Sequence, residues 1–418
     1  MNRRLLYWLL TALAIATLLL ACQPAPPKPP EEGMVPFFDG KTLDGLEIKN
    51  GTATYEVIDG MIVGTTVKGS PNSFLCPTRE YGDFIMEFEV MTDPALNSGV
   101  QIRSHQYETE TEVVTMGNRG PVTRKHPAGR IHGLQVEISN EEAGASGGIY
   151  DEARRGWVAN IADDPVASKA FKDNQWNHYR IEAIGDHIKV FVNGVPCADL
   201  IDSMDLKGLI GLQVHSFQGD QPAQVRWRNL WIKDLGEHVW EPIFDGQTLN
   251  GWEPIGGGKW EVVDGAIRGT NSAGSTRGLL FYTAADHEDV TVRLQFKAVK
   301  SNSGVFFRTK ADGDTVTGYE AEVDEAKHVG GLFEVGGRKW VVQPSDEDVA
   351  KYFRPGEWNE MTVAAKGQRV VIQVNGIKTA EVKDDPGPSS GRLALQIHAQ
   401  PGAEVWFKDI VVLKKKQK

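Results

Sequence analysis

A basic surface is the first thing this chain lacks. Its 45 Lys and Arg stand against 56 Asp and Glu, a formal net charge of −11. A nucleic-acid partner needs a positive footprint to neutralise phosphates, so no nucleic acid is expected. Cysteine is scarce as well, with three in 418 residues, at Cys22, Cys76 and Cys197. None has a neighbour at zinc-ligand spacing. Cys76 and Cys197 fall in unlike parts of the chain, which leaves a disulfide and two separate thiols equally open. Sustained 3.6-residue periodicity is missing, so long helices are not expected. The H-E-x-x-H, Walker and dinucleotide fingerprints are missing too, which leaves nucleotide and zinc-protease readings without support.

Long apolar runs are limited to one, over residues 5–20, preceded by Asn2-Arg3-Arg4. At about 16 residues it is short for a span, which needs about 20, and it suits a secretory signal. It ends in Leu19-Leu20-Ala21-Cys22, which resembles a bacterial lipobox. Residues 1–21 are therefore expected to be a lipoprotein signal peptide, with Cys22 the lipidated residue. Residues 22–35 read as a Pro-rich linker, extended and unable to bury apolar area. The expected location is the cell envelope, with the chain lipid-anchored and facing the periplasm or the exterior. Gln23 is not the aspartate that holds some lipoproteins at the inner membrane, which favours the outer one. The membrane is thus an expected partner through the anchor.

What the chain has in abundance is itself. Phe38-Asp39-Gly40-Lys41-Thr42-Leu43 returns as Phe244-Asp245-Gly246-Gln247-Thr248-Leu249. YEVIDGMIVG at 55–64 returns as WEVVDGAIRG at 260–269, and NSGV at 97–100 returns at 302–305. Trp176-Asn177 matches Trp358-Asn359, Val192-Asn193-Gly194 matches Val374-Asn375-Gly376, and LQVH at 212–215 matches LQIH at 395–398. The order is kept throughout, which means two tandem copies of one unit. Expected bounds are 36–236 for copy 1 and 241–416 for copy 2, with a short join between them. Asp59-Gly60, Asn193-Gly194, Asp264-Gly265 and Asn375-Gly376 interrupt alternating apolar runs and supply the positive φ angles of type I′ hairpins. Many short strands in each copy predict an all-β, two-sheet sandwich of jelly-roll topology. Copy 1 alone carries an insert, roughly 105–131, expected to be a long loop and so either functional or disordered.

The repeated elements, together with GGIYDEARRGW at 147–157, resemble the 3-keto-disaccharide hydrolase domain family. The likeness spans nearly all of both copies, and its specificity lies in the ordered set. It implies two concanavalin-like jelly-roll sandwiches and activity on 3-keto sugars or glycosides. Copy 2 departs more. Its GGLFEVGGRKW at 330–340 puts Phe333 where copy 1 has Tyr150, and it lacks the insert.

Alternation gives candidate site residues. With apolar neighbours facing the core, Gln101 and Arg103, then Gln135, Glu137 and Ser139, then Gln213 and His215 are expected on the outer face of copy 1. Copy 2 offers Arg308, then Glu320, Glu322 and Asp324, then Gln396 and His398. Tyr150, Trp157 and Trp340 are expected to wall a sugar site, with Arg154 and Arg155 beside it. The plain alternative is a solvated sheet face, which alternates in the same way.

The resemblance implies a chemistry. A 3-keto group acidifies the C2 proton and places the C1 leaving group β to the carbonyl, so elimination through an enolate becomes accessible. That needs a base, a positive group beside the enolate oxygen, and an acid for the leaving oxygen. His215, Glu137 and Arg103 are the expected catalytic residues. Gln135, Tyr150, Arg154, Arg155, Trp157, Gln213, Arg308, Glu320, Glu322, Asp324, Trp340 and His398 are the expected substrate contacts. A divalent metal would suit the enolate, but the cofactor stays unknown because no ligand set stands out. The expected partner is a carbohydrate, cleaved by hydrolysis or by elimination and hydration. The rival is a carbohydrate-binding lipoprotein without turnover.

Overall fold

The computed structural model describes residues 28–94, 96–117, 120–139, 145–313 and 315–417. The expected signal peptide, the lipidation residue Cys22 and the first part of the linker lie outside the described residues. Among the described residues, no helix is long and apolar enough to cross a membrane.

The Asx-Gly pairs fold as the sequence predicts. Asp59 and Gly60 have φ of 49° and 76°, and Asn375 and Gly376 have 50° and 77°. Each closes a tight hairpin, Thr54–Ile58 with Met61–Thr65 and Arg369–Val374 with Ile377–Val382. Positive φ at both central residues matches the right-handed strand twist, and asparagine, aspartate and glycine tolerate it best.

In copy 1, one sheet runs Val195–Ile201, His187–Val192, Asn177–Ile184, Asp83–Thr92, Gln224–Gly236, Met61–Thr65, Thr54–Ile58. The other runs Gly156–Ala159, Ile149–Glu152, Ile131–Ser139, Asn97–Gln106, Leu209–Val214, Ser73–Pro77, Leu46–Lys49. Copy 2 repeats both orders strand for strand. Its second sheet runs Lys339–Val342, Leu332–Val335, Thr315–Val323, Ser303–Asp312, Arg392–Ile397, Gly278–Tyr282, Trp252–Gly256. Every pairing within the sheets is antiparallel, and the molecule is two all-β jelly-roll sandwiches.

Between the sheets of copy 1 lie Phe84, Met86, Phe88, Val100, Ile102, Val136, Tyr179 and Trp227, and copy 2 encloses an equivalent core around Phe296, Phe307 and Phe407. Deleting one such aromatic would cost about 3–5 kcal/mol. Two of the repeated motifs turn out to be scaffolding. Asn193 donates to the Asn177 side chain at 2.8 Å and to the Ala170 carbonyl at 2.9 Å, and Asn375 does the same to Asn359 and to the Tyr352 carbonyl. The Asp39 and Asp245 carboxylates each cap their turn through two backbone N–H groups.

Two expectations need correction. The insert is not a structureless loop: Thr111–Gly117 and Gly120–His126 pair with each other as a two-stranded hairpin. The second set of strands begins before residue 241, because His238–Pro242 pairs with Glu404–Lys415. Only Glu237 separates that strand from Gln224–Gly236. Cys76 and Cys197 are both free thiols, pushed up by burial to about 12 and about 11.

Candidate functional site

The second sheet of copy 1 carries a cavity of about 680 Å³. Its floor comes from Ile131–Ser139, where Gln135 and Glu137 point the same way, two residues apart. The cross-strand partner of Gln135 is Tyr150, whose own partner on the next strand is Trp157. The two rings meet edge to face at 5.3 Å and form an aromatic wall. His215 follows the strand Leu209–Val214 and closes the opposite side with Ser216 and Asn72.

A relay of amides sets this floor. Ser104 Oγ donates to Gln101 Oε1 at 2.6 Å, and Gln101 Nε2 donates to Gln135 Oε1 at 2.9 Å. Gln213 Nε2 donates to the same oxygen at 2.8 Å. Gln135 Nε2 then donates to Glu137 Oε2 at 3.0 Å, and Asn97 Nδ2 donates to Glu137 Oε1. All of these side chains except Asn97 are buried, so the relay fixes the Glu137 carboxylate in a site of low dielectric. Gly99 is part of the device. A Cβ there would stand 2.6 Å from the Gln135 side chain, so only glycine lets that amide lie across the sheet.

At the other end of the cavity, Glu152 pairs with Arg130. Burial raises the Glu152 carboxyl above the ordinary range, against the opposing pull of Arg130 and His215. His215 Nδ1 lies 2.8 Å from the Ser216 carbonyl, which makes it the protonated nitrogen and leaves Nε2 as the acceptor. Asn72 Oδ1 accepts from the Ser216 N–H at 2.9 Å and so steadies that turn.

Of the expected residues, Gln135, Glu137, Tyr150, Trp157 and His215 line this cavity. Gln213 lies beneath it, as a support for Gln135. Arg103 does not reach it. Arg103 has φ of 49° at a bulge, and its side chain donates to the Gly82 carbonyl at 2.8 Å, the Gly185 carbonyl at 2.5 Å and Asp83 at 3.2 Å. The bulge breaks the alternation that placed it on the outer face. Arg308 repeats this at φ 50°, donating to the Glu288 and Pro388 carbonyls. Arg154 and Arg155 are likewise outside the cavity. Arg154 holds Asp151 and Asp205, and Arg155 holds Asp151 and Asp202. Six residues on the cavity were not read from the sequence as site residues: Pro71, Asn72, Asn97, Arg130, Glu152 and Ser216. Glu152 was within reach, because it shares a strand face with Tyr150 two residues earlier.

Copy 2 keeps the outline and loses the chemistry. By register, Phe306 replaces Gln101, Glu320 replaces Gln135, and Val335 replaces Glu152. Phe306, Phe281, Val316 and Val335 form an apolar cluster on the face that is polar in copy 1, with Phe333 packed against it. Phe333 meets Trp340 edge to face at 5.2 Å. Glu320 and Glu322 are buried together, and Glu320 Oε1 has no hydrogen-bond partner. Burial raises both carboxyls, and for Glu322 the charges of Glu320 and Asp324 add to the rise. Asp324 caps a local turn through the Ala326 and Lys327 N–H groups. His398 is exposed.

For a divalent metal the fit is poor. Among the described residues, no group of three His, Cys, Asp or Glu side chains is placed to hold an ion, and no step below runs through one.

Fold and site together define a duplicated jelly-roll protein with a polar-floored, aromatic-walled cavity in copy 1. The chain belongs to the 3-keto-alpha-glucoside-1,2-lyase-like domain family, which it matches over residues 33–233 and again over 239–413. No curated protein matches it. Among solved structures it is similar to a candidate glycosyl hydrolase from Parabacteroides distasonis ATCC 8503, at 20% identity over 43% of this chain and 94% of that one, with a TM-score of 0.32. It is also similar to the carbohydrate binding module CBM66 from Bacillus subtilis, at 17% identity over 38% and 93% of the two chains, TM-score 0.32.

Proposed function

We propose that copy 1 cleaves 3-keto-glucosides by β-elimination in the cavity floored by Gln135 and Glu137. The observation that carries this reading is the convergence of a histidine acceptor nitrogen, a raised carboxyl, a guanidinium and an aromatic wall on one cavity, in a chain of this family. His215 Nε2 takes the C2 proton. The C2–H electron pair moves into the ring as an enolate, with its oxygen beside the Arg130 guanidinium. The enolate collapses to a C1=C2 double bond and expels the C1 oxygen, which takes its proton from Glu152. Water added later across that bond would make the net reaction a hydrolysis. Glu137, fixed by two amide donors, holds sugar hydroxyls. Arg103 drops out of the mechanism, since all its reach is spent within the sandwich.

The test is turnover of methyl 3-keto-α-glucoside by the full mature chain, read as unsaturated product. His215→Ala is expected to cut kcat by about 10²–10⁴-fold, with His398→Ala near wild type and both variants melting as folded proteins. Glu152 gives a proton and His215 takes one in the proposed step, so kcat/KM should pass through a maximum with pH, and Glu152→Gln should lose the alkaline limb. Binding of the sugar without turnover would leave a carbohydrate-binding protein. Equal losses in the two histidine variants would mean two working sites.

We further propose that the chain is anchored to the cell envelope through Cys22. Cys22→Ser should move it from the membrane fraction to the soluble one, or leave the precursor uncleaved. An unchanged fractionation and mass would remove the anchor.

A further inference from the structure

A second cavity, of about 670 Å³, lies where the two copies meet. Copy 1 supplies Trp157, Leu200 and Met204, with Val114 from the hairpin, and copy 2 supplies Phe353 and Ile377. Trp157 also lines the first cavity, so the two cavities share that one side chain. Val114, Met204 and Ile377 are 65%, 39% and 37% exposed. Three large apolar side chains held at one mouth are out of place on a solvated surface and suit a ligand. The volume falls within the range of small-molecule pockets, and domain interfaces are where such pockets concentrate.

Arg155, Asp202, Lys351, Arg354, Gln373 and Lys378 border this space as well, but carbon makes up the larger part of its exposed lining. Arg155 holds Asp151 and Asp202, but its Nη2 is buried without a hydrogen-bond partner. An unpartnered buried donor carries an uncompensated desolvation cost, which a ligand oxygen would recover. Contacts across the join fix the space. Thr291 Oγ1 donates to Asp186 Oδ2 at 2.6 Å, Lys366 pairs with Asp186 at 3.2 Å, and Ile201 packs on Ala364 and Val371.

We propose that this second cavity receives the leaving part of the substrate, and that this part is an apolar aromatic aglycone bearing a hydrogen-bond acceptor. The inference rests on the proposed reading of the first cavity and narrows it. With the reacting sugar against Tyr150 and Trp157, a group leaving from C1 past Trp157 enters a space lined by aliphatic and aromatic carbon.

Full-length chain is assayed with methyl and 2-naphthyl 3-keto-α-glucosides and with a 3-keto-disaccharide. Ile377→Asp and Met204→Asp alter exposed positions, so folding is expected to hold. Each should raise KM for the naphthyl substrate about tenfold while the methyl substrate is turned over as before. A naphthyl KM unmoved in both variants, or a higher wild-type kcat/KM for the disaccharide, overturns the inference even if turnover is found. Binding of unoxidised 2-naphthyl α-glucoside, measured by calorimetry, separates the two ideas. If nothing is turned over, yet this ligand binds and Ile377→Asp abolishes binding, the apolar cavity stands and the elimination reading falls. If the ligand does not bind wild type, the inference falls.

Discussion

Single residues decide what each sheet face can do. Where copy 1 has Gln135, giving one hydrogen bond and receiving two, copy 2 has Glu320, buried beside Glu322 with an unpartnered oxygen. Two carboxyls crowded out of water hold their protons, and so their folded-state pKa values lie above the unfolded ones. The sign follows from linkage. Their contribution to stability is full at acid pH, below the unfolded carboxylate pKa, and is lost as pH rises through the raised value. Glu320→Gln should therefore raise the Tm of copy 2 in alkaline buffer, by an amount of the order of 5 °C, and change little near about pH 4. Differential scanning calorimetry across pH checks it; a pH-independent shift, or a loss, would show that the carboxyl is not protonated in the folded chain. Five of the residues on the copy 1 cavity were legible in the sequence, Gln135, Glu137 and His215 through strand alternation, and Tyr150 and Trp157 through the GGIYDEARRGW segment. Arg130 and Asn97 were not, because their place depends on how a hairpin base and a strand start meet a neighbouring strand.

At the level of elements, the hairpins and strand runs were legible, since Asx-Gly turns and period-two patterns are local signals. The bulges were not. Arg103 and Arg308 sit at positive φ in strands that read as regular, and one left-handed residue reverses the side on which the next side chain emerges. The expectation that both arginines face outward failed for that reason alone. The repeat misleads in a related way. What the copies share is their turns, their Asn–Asn clamps and the glycine beneath the floor, which build the sandwich, together with the pairs Glu137–Glu322 and His215–His398. What distinguishes the cavity lies where they differ, at Gln101, Gln135, Arg130 and Glu152. The hairpin Thr111–His126 is the largest such difference, and it stands on a ring stack, with Tyr107 4.1 Å from His132 and 5.7 Å from His126. Burial and neighbouring cations hold His132 down at about 4, so the stack is uncharged at neutral pH.

For the whole molecule, two cores with no shared sheet suggest two folding units. Chains 28–236 and 237–418, which leave the His238–Pro242 strand whole, should each unfold cooperatively in denaturant. Failure of both to fold would mean that one core depends on the other. Copy 1 alone should keep turnover of the methyl substrate and lose its preference for the naphthyl one, since half of the second cavity is gone.

The join itself is Glu237, held by Lys207 from one side and Lys416 from the other. A joint one residue long, with Thr291 and Lys366 of the second copy held on Asp186 of the first, leaves little play between the two sandwiches. Capture of a ligand in the proposed interface cavity is then expected without clamshell closing. The cleft stands formed before anything enters it, and the entropy of ordering its walls is settled when the chain folds rather than each time a substrate arrives.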